Sequence, residues 1–244
     1  MSKSFKELAS DPLQYDRGQV MWSEEGHKLS PIRRLFLERL LPYIDSVAGK
    51  HVLDIGCGQG WLVDEIDKRG GIVTGIDPST TNINAAVKQY PDLKFLQADL
   101  MSLEMSEQFD LITVIMAFEH LPNLKASYDK IKSLLKAKGL LLTIIGDFDR
   151  LTHPRHTYTV ETEILAPGEA AIRTDYGERA GVIYDISRTV EHFTTIAQEE
   201  GFNLQVHESI SAPDWLIAEQ PGYAVHKGSP LFHLLEFVYN PEAL

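Results

Sequence analysis

Residues 51–62 read "HVLDIGCGQGWL": a short apolar run, then Gly56, Gly58 and Gly60 at alternate positions. A stretch this poor in side chains lets the backbone come close to a ligand. The spacing is GxGxG. A dinucleotide site has GxGxxG, with its third glycine opening a helix under a pyrophosphate. No lysine follows, which excludes a phosphate-gripping P-loop. Asp54, just ahead of the first glycine, is out of place at an anion site and suits a ligand with positive charge. Asp77 in "GIDPS" lies seventeen positions after Gly60, at the end of an expected strand. A carboxylate there can accept hydrogen bonds from both hydroxyls of a ribose. Asp99 in "QAD" ends the next expected strand and can accept from an adenine amine. Singly, each has an ordinary alternative: a tight strand–helix turn for the glycines, a cap or turn former for an aspartate. In this order they favour a cationic adenosine ligand over a pyrophosphate.

The elements that must hold these residues alternate strand and helix. "HVLDI", "GIVTGID", "LKFLQAD", "FDLITVIMAF" and "LLLTIIG" read as strands. The fourth is apolar through its centre, as a strand covered on both faces is. "WLVDEIDKR" places Leu62, Val63 and Ile66 on one helical face and stops at Gly70. "TTNINAAVKQY" aligns Ile83, Ala86, Val87 and Tyr90 and stops at Pro91. "NLKASYDKIKSLLKAKG" aligns Leu124, Tyr128, Ile131 and Leu135 before Gly139. Upstream, Ser30-Pro31 reads as an N-cap followed by proline at the first helical position, with a helix to about Asp45. Such βαβ repetition implies a doubly wound, mostly parallel sheet that binds its ligand at the topological switch point beyond the first strand. In the last third, "TYTVETEIL", "AAIRTDYG" and "GVIYDI" look like short strands of a hairpin or cap. "RTVEHFTTIAQEEG" is a helix, and "FNLQVHESI" and "LFHLLEFVY" are two final strands. Residues 211–230 carry three prolines and little periodicity, and read as a functional or mobile connection. One domain over 1–244 is expected: a helical arm at 1–48, the ligand-binding core at 49–146, a cap or hairpin insertion after strand five at 147–187, and the final helix and strands at 188–244.

Composition narrows the partners. The 244 residues are 43% hydrophobic, enough for a sizeable core. A net charge of -12 disfavours nucleic acid, which demands clustered Lys and Arg. The single cysteine, Cys57, cannot form a disulfide within the chain. No 18-residue apolar run occurs, and "MSKSFKELAS" lacks the apolar centre of a leader. A cytoplasmic protein with a small-molecule partner, and neither nucleic acid nor membrane, is expected. Oligomeric state is not legible.

Taken together, "VLDIGCGQG", "GIDPS", "QADL" and "FDLITVIMAFEHLPN" resemble the successive motifs of class I S-adenosylmethionine-dependent methyltransferases. The likeness covers roughly residues 30–146. It implies a Rossmann-like α/β fold of seven strands with the last one antiparallel, S-adenosyl-L-methionine as cofactor and S-adenosyl-L-homocysteine as product. By position it implies that Gly56, Gly58 and Gly60 line the methionyl part, with Asp54 behind them and Cys57 in the same loop. Asp77 and Pro78 belong to the ribose, Ala98, Asp99 and Leu100 to the adenine. Ala117 and Phe118 would lie under the ligand. "MWSEEGHKLSPIRRLF" is similar to the segment before the loop in ubiquinone-biosynthesis O-methyltransferases, where an arginine reaches the cofactor. Arg33 stands at that position and would form a charge-assisted fork on the methionyl carboxylate. That family also has a glutamate three residues before its Glu-His pair, a candidate metal site. Here Glu119-His120 is preceded by Met116, and no metal is expected.

Methyl transfer from a sulfonium is an in-line displacement in which the protein chiefly positions the acceptor. A base is needed where the nucleophile must lose a proton. A histidine titrating near neutrality suits a hydroxyl acceptor, and His120 is the first candidate, with a turn histidine as the alternative. Tyr184 and Asp185 in "IYDIS" lie where this superfamily's cap meets the acceptor. His153 and His156 in "HPRH" are weaker candidates for the acceptor or a metal pair, and zinc would want further ligands. His192 reads as a packed helix residue. Trp22 and Tyr15 would either close over the cofactor or cover a core edge. The expected reaction is transfer to a small-molecule hydroxyl. Transfer to N or C, a non-catalytic cofactor-binding regulator and a nicotinamide oxidoreductase stay open as alternatives, the last opposed by the glycine spacing.

Overall fold

The computed structural model describes residues 3–9, 11, 14–17, 29–152, 159–177 and 181–240, without the side chains of residues 15 and 17. Ten strands are described: β1 (His51–Ile55), β2 (Ile72–Asp77), β3 (Lys94–Gln97), β4 (Phe109–Ile115), β5 (Leu135–Gly146), β6 (Thr159–Ala166), β7 (Glu169–Asp175), β8 (Val182–Arg188), β9 (Phe202–Ser211) and β10 (Pro230–Tyr239). Seven of them form one sheet in the order β3-β2-β1-β4-β5-β10-β9. β1 pairs in parallel with β2 and with β4, while β10 runs antiparallel to both β5 and β9. The chain therefore leaves β1 toward one side and returns through β4 on the other. That reversal opens a crevice beyond the C-terminal ends of β1 and β4.

The helices are α1 (Phe5–Ala9), α2 (Gln14–Arg17), α3 (Pro31–Ile44), α4 (Trp61–Asp67), α5 (Thr80–Gln89), α6 (Leu124–Leu134), α7 (Phe148–Thr152), α8 (Val190–Glu199) and α9 (Asp214–Glu219). α3 starts as its residues dictate: Ser30 accepts from the Arg33 N–H and Pro31 stands at the first turn. On one face of the sheet α3, α4 and α5 bury Leu35, Phe36, Leu62, Val63, Ile66 and Ile83. On the other, α6 and α8 bury Tyr128, Ile131, Phe193 and Ala197 against Phe202 and Phe237. Val87, expected in the α5 stripe, is 46% exposed, because the core contact of that helix ends with Ala86.

Three expected boundaries are corrected. α6 stops at Leu134, and β5 begins at the next residue with Leu135. Leu135 is buried as the first residue of that strand, so its apolar character continues the helical spacing by coincidence. The cap is three strands, not a hairpin: β6-β7-β8 form a separate antiparallel sheet. Residues 211–230 are not an irregular connection. They hold α9 and a 3-10 helix over Pro221–His226. A six-residue helix is too short to print a periodic pattern. It is fixed by Trp215, whose ring lies 3.6 Å from the Arg34 guanidinium carbon, and by Glu219, 2.8 Å from Arg34.

Candidate active site

The glycine loop is a set of three positive-φ turns, at 71° for Gly56, 54° for Gly58 and 86° for Gly60. The N–H groups of Gly56 and Cys57 both donate to the Ile76 carbonyl, at 2.8 and 2.9 Å, tying the loop to the end of β2. A Cβ on Gly56 would lie 2.4 Å from that of Ala117, across the crevice. One on Gly60 would lie 2.6 Å from the Phe95 ring. One on Gly58 would meet nothing within 4 Å. Two glycines are thus required by the protein's own packing, and the third faces open space.

Asp77 is 7% exposed. Its Oδ2 accepts from the Gly58 N–H at 2.9 Å, and its Oδ1 from the Ser79 N–H at 2.9 Å and the Asn82 amide at 3.3 Å. Burial raises its pKa and these donors oppose the rise. Asp54 is buried beneath the loop with Thr113 donating to its Oδ1 at 2.6 Å. Burial pushes its carboxyl up to about 7, against the Thr113 bond and with help from the Asp77 charge. Pro78 sits half-buried, and its carbonyl receives the Gln97 amide at 3.4 Å. The Ala98 N–H donates to the Asp77 carbonyl at 3.1 Å. Asp99 caps the short 3-10 helix over Leu100–Ser102, accepting from the Met101 N–H at 2.9 Å, and Leu100 is buried. Arg33 lies half-buried near Tyr90, the residue that flanks Gly60.

Two expected contacts are relocated. Phe118 has no exposed surface. Its ring packs between Tyr128 and Phe193 at centroid distances of 5.6 and 5.3 Å, so it supports the turn from within the core. The Cys57 side chain packs inward and burial raises its thiol well above the ordinary value, so only its backbone lines the loop.

The opposite bank is the turn after β4. Met116 takes a left-handed φ of 53°, and the 3-10 helix over Phe118–His120 follows Ala117. A methionine in that region signals strain that the surroundings must hold. Arg188 of β8 does much of the holding. Its side chain is fully buried, with Nη1 donating to the Phe118 carbonyl at 3.1 Å, Nη2 to the Leu121 carbonyl at 2.9 Å, and Nε to Glu169 at 2.8 Å. Glu119 turns away from its neighbour: its Oε1 accepts from the Gly146 N–H at 2.9 Å, and its Oε2 is buried with no hydrogen-bond partner among the described residues. Burial raises its pKa, favouring the neutral acid. Glu119 and His120 therefore do not converge, and among the described residues no group of three His, Cys, Asp or Glu side chains could hold a metal.

His120 is brought together with the cap. Its Nδ1 is 3.6 Å from Asp185 Oδ1 and 3.4 Å from the Gln14 amide nitrogen. Burial lowers its pKa while the Glu119 and Asp77 charges oppose this. Tyr184 contributes its backbone, bonded to Gln14, and its ring stacks obliquely on Phe5 at 5.6 Å. His192 stands on α8, its N–H donating to the Thr189 cap at 3.2 Å, as a helix residue does. His153, His156, Trp22 and the Tyr15 side chain lie outside the described residues. Sequence reasoning missed Gln14, Asp16 and Arg188. Asp16 receives the Ser79 hydroxyl at 2.6 Å and the Thr81 and Thr80 N–H groups at 3.1 and 3.2 Å. No local spacing announces contacts across so much chain.

A doubly wound sheet, a close-approach glycine loop after β1, Asp77 at the end of β2 and Asp99 two residues beyond β3 are the features of an α/β protein with a ligand crevice at its switch point. Residues 52–139 match the family described as "Methyltransferase domain". The ubiquinone biosynthesis O-methyltransferase of Coxiella burnetii is 30% identical, over 68% of this chain and 78% of that protein. A solved S-adenosylmethionine-dependent methyltransferase from Mesorhizobium loti superposes with a TM-score of 0.65 at 20% identity, covering 84% of this chain and 99% of that one. Magnesium protoporphyrin IX methyltransferase from Synechocystis, solved with S-adenosylmethionine bound, gives 0.59 at 15% identity over 98% and 99%. The chain belongs to the class I S-adenosylmethionine-dependent methyltransferases, and it is an enzyme that passes a methyl group to an acceptor. The loop fits that cofactor, since the one glycine whose missing Cβ leaves open space lies beside Asp77.

Proposed function

We propose that this enzyme methylates a hydroxyl oxygen of a small molecule, with His120 as the base. The observation that carries the reading is the placement of His120 on the turn after β4, 22% exposed, with Asp185 3.6 Å from its Nδ1. A neutral imidazole takes the hydroxyl proton, and Asp185 stabilises the cation that forms. Burial keeps the ring below the ordinary imidazole pKa, so the base form is present at neutral pH. When bound, S-adenosylmethionine supplies an electrophilic methyl group on a sulfonium. Gly56, Gly58 and Gly60 with the backbone of Cys57 would hold its methionyl part, Arg33 the carboxylate, and Asp77 and Pro78 the ribose. Ala98, Asp99 and Leu100 would meet the adenine, with Ala117 closing the floor. The acidic surface supports a small acceptor over nucleic acid, and no described helix is long and apolar enough to cross a membrane. A cytoplasmic site of action agrees with both. The 30% identical relative, named an O-methyltransferase, supports oxygen as the target.

The test is detection of S-adenosylhomocysteine across phenols, amines and carboxylates. Turnover is expected with hydroxyl acceptors. Turnover confined to amines, or cofactor binding with no turnover on any acceptor, contradicts the proposal.

A further inference from the structure

We propose that Gln14 is a positioning residue that assigns the basic lone pair of His120 to Nδ1. The inference rests on the reading of His120 as the base, and it says which ring atom performs that role and what guards it.

β8 is an edge strand of the cap sheet, and Tyr184 presents both its backbone groups to α2. The Tyr184 N–H donates to Gln14 Oε1 at 3.1 Å, and Gln14 Nε2 donates to the Tyr184 carbonyl at 3.0 Å. The amide closes onto the strand edge as a neighbouring peptide would. This pairing assigns the two ends of the amide, because reversing it would set two acceptors and two donors face to face. A primary amide nitrogen carries two hydrogens. One goes to Tyr184, and the nitrogen stands 3.4 Å from His120 Nδ1. An N–H facing Nδ1 requires a lone pair there, which leaves the single proton of the neutral ring on Nε2.

Asp185 Oδ1 lies 3.6 Å from the same Nδ1 and has the opposite preference, for a proton on that atom. The amide therefore holds the lone pair in the resting ring, and the carboxylate stabilises the ring once Nδ1 is protonated. In the step this implies, the acceptor's O–H bond breaks, an N–H bond forms at Nδ1, and the electron pair stays on the acceptor oxygen. The hydroxyl must then stand where the amide stands, so acceptor entry displaces Gln14. The arm is held independently two residues later, where Asp16 caps the start of α5 through Ser79, Thr80 and Thr81. Displacement of the amide thus need not release the arm. The titratable groups acting on the ring include Glu119 and Asp77, and Asp185 stands 3.6 Å from its Nδ1.

The experiment is long-range 1H–15N correlation of uniformly 15N-labelled full-length protein, with the His120 signals assigned by their loss in His120→Asn. Wild type is expected to carry its ring proton on Nε2. Gln14→Ala is expected to shift the ring toward protonation at Nδ1. Gln14→Glu keeps the bond from the Tyr184 N–H and turns an oxygen toward the ring, and should raise the His120 titration midpoint by about one pH unit. The acid limb of its pH–rate profile should move with it. A wild-type proton on Nδ1 overturns the proposal, as does a Gln14→Glu midpoint equal to wild type. The base reading fails separately, through undiminished turnover of His120→Ala, an outcome that leaves these spectra unchanged.

Discussion

The glycine loop and the His120 turn face each other across one crevice, yet they are held by different means. The loop bank is backbone: three positive-φ glycines, two N–H groups on one carbonyl, and an aspartate receiving the Gly58 and Ser79 N–H groups. Its partners lie within about a βα unit of one another in sequence. The turn bank is side chain. Arg188 reaches back 70 residues to the Phe118 carbonyl, and Gln14 reaches forward 170 to Tyr184. In the function proposed above, the cofactor common to the superfamily asks for one backbone shape, and the acceptor particular to this enzyme is met by side chains that can be exchanged without disturbing that shape.

If the two banks are separable, damage to one should leave the other intact. The largest effect is expected at Arg188. Replacing it with leucine strips the carbonyls of Phe118, Leu121 and Pro122, and Glu169, of a buried donor, at a cost of about 3–5 kcal/mol in urea unfolding. Turnover should fall with it while affinity for S-adenosylhomocysteine stays near wild type. Loss of cofactor binding in a still-folded Arg188→Leu protein would show the banks to be coupled.

A smaller and opposite pattern is expected in the loop. Gly58→Ala meets no protein atom within 4 Å, so its stability cost should be limited to the left-handed strain of about 1–2 kcal/mol. Cofactor affinity should nonetheless drop by about tenfold or more, an effect of about 1.4 kcal/mol per decade. Gly56→Ala, with its Cβ driven to 2.4 Å from Ala117, should lose more stability than Gly58→Ala. Equal costs at the two positions would mean that the open space beside Gly58 is misassigned.

The last effect concerns Asp54 and shows only as a dependence on pH. Its carboxyl is raised to about 7 in the folded protein from 3.8, so the native state holds a proton that the unfolded chain has lost. The stabilisation is full below the unfolded value and disappears as pH rises through about 7. Asp54→Asn should remove this dependence. Between about pH 5 and about pH 8, wild type should lose thermal stability relative to the variant. Parallel curves would show that the carboxylate is already ionised in the fold.

The same contrast explains what the residues disclosed before the fold was known. β1 to β4 and helices α3, α4, α5 and α8 were legible because alternation and capping are local, as Ser30-Pro31 and the Gly201 stop illustrate. The placement of Asp54 and Asp77 near the C-terminal ends of β1 and β2, and of Asp99 just beyond β3, was legible because strand ends converge in any doubly wound sheet. α9 was not, since six residues carry under two turns of pattern. Gln14 and Arg188 were not, since a glutamine on a short polar helix and an arginine closing a strand look like surface until the cap sheet folds over them. Phe118 misled for the same reason: its position in the chain is at the crevice, but its ring turns into the aromatic core.

The separation of holding from reacting is tested most directly by measuring two quantities on two variants side by side. These are affinity for S-adenosylhomocysteine by calorimetry and turnover with a hydroxyl acceptor, for Asp77→Ala and His120→Ala. Asp77→Ala should lose about a hundredfold or more in affinity, or about 2.7 kcal/mol. His120→Ala should bind within about twofold of wild type and turn over about 10²–10⁴-fold more slowly. Wild-type turnover by His120→Ala, or wild-type affinity in Asp77→Ala, would contradict the account.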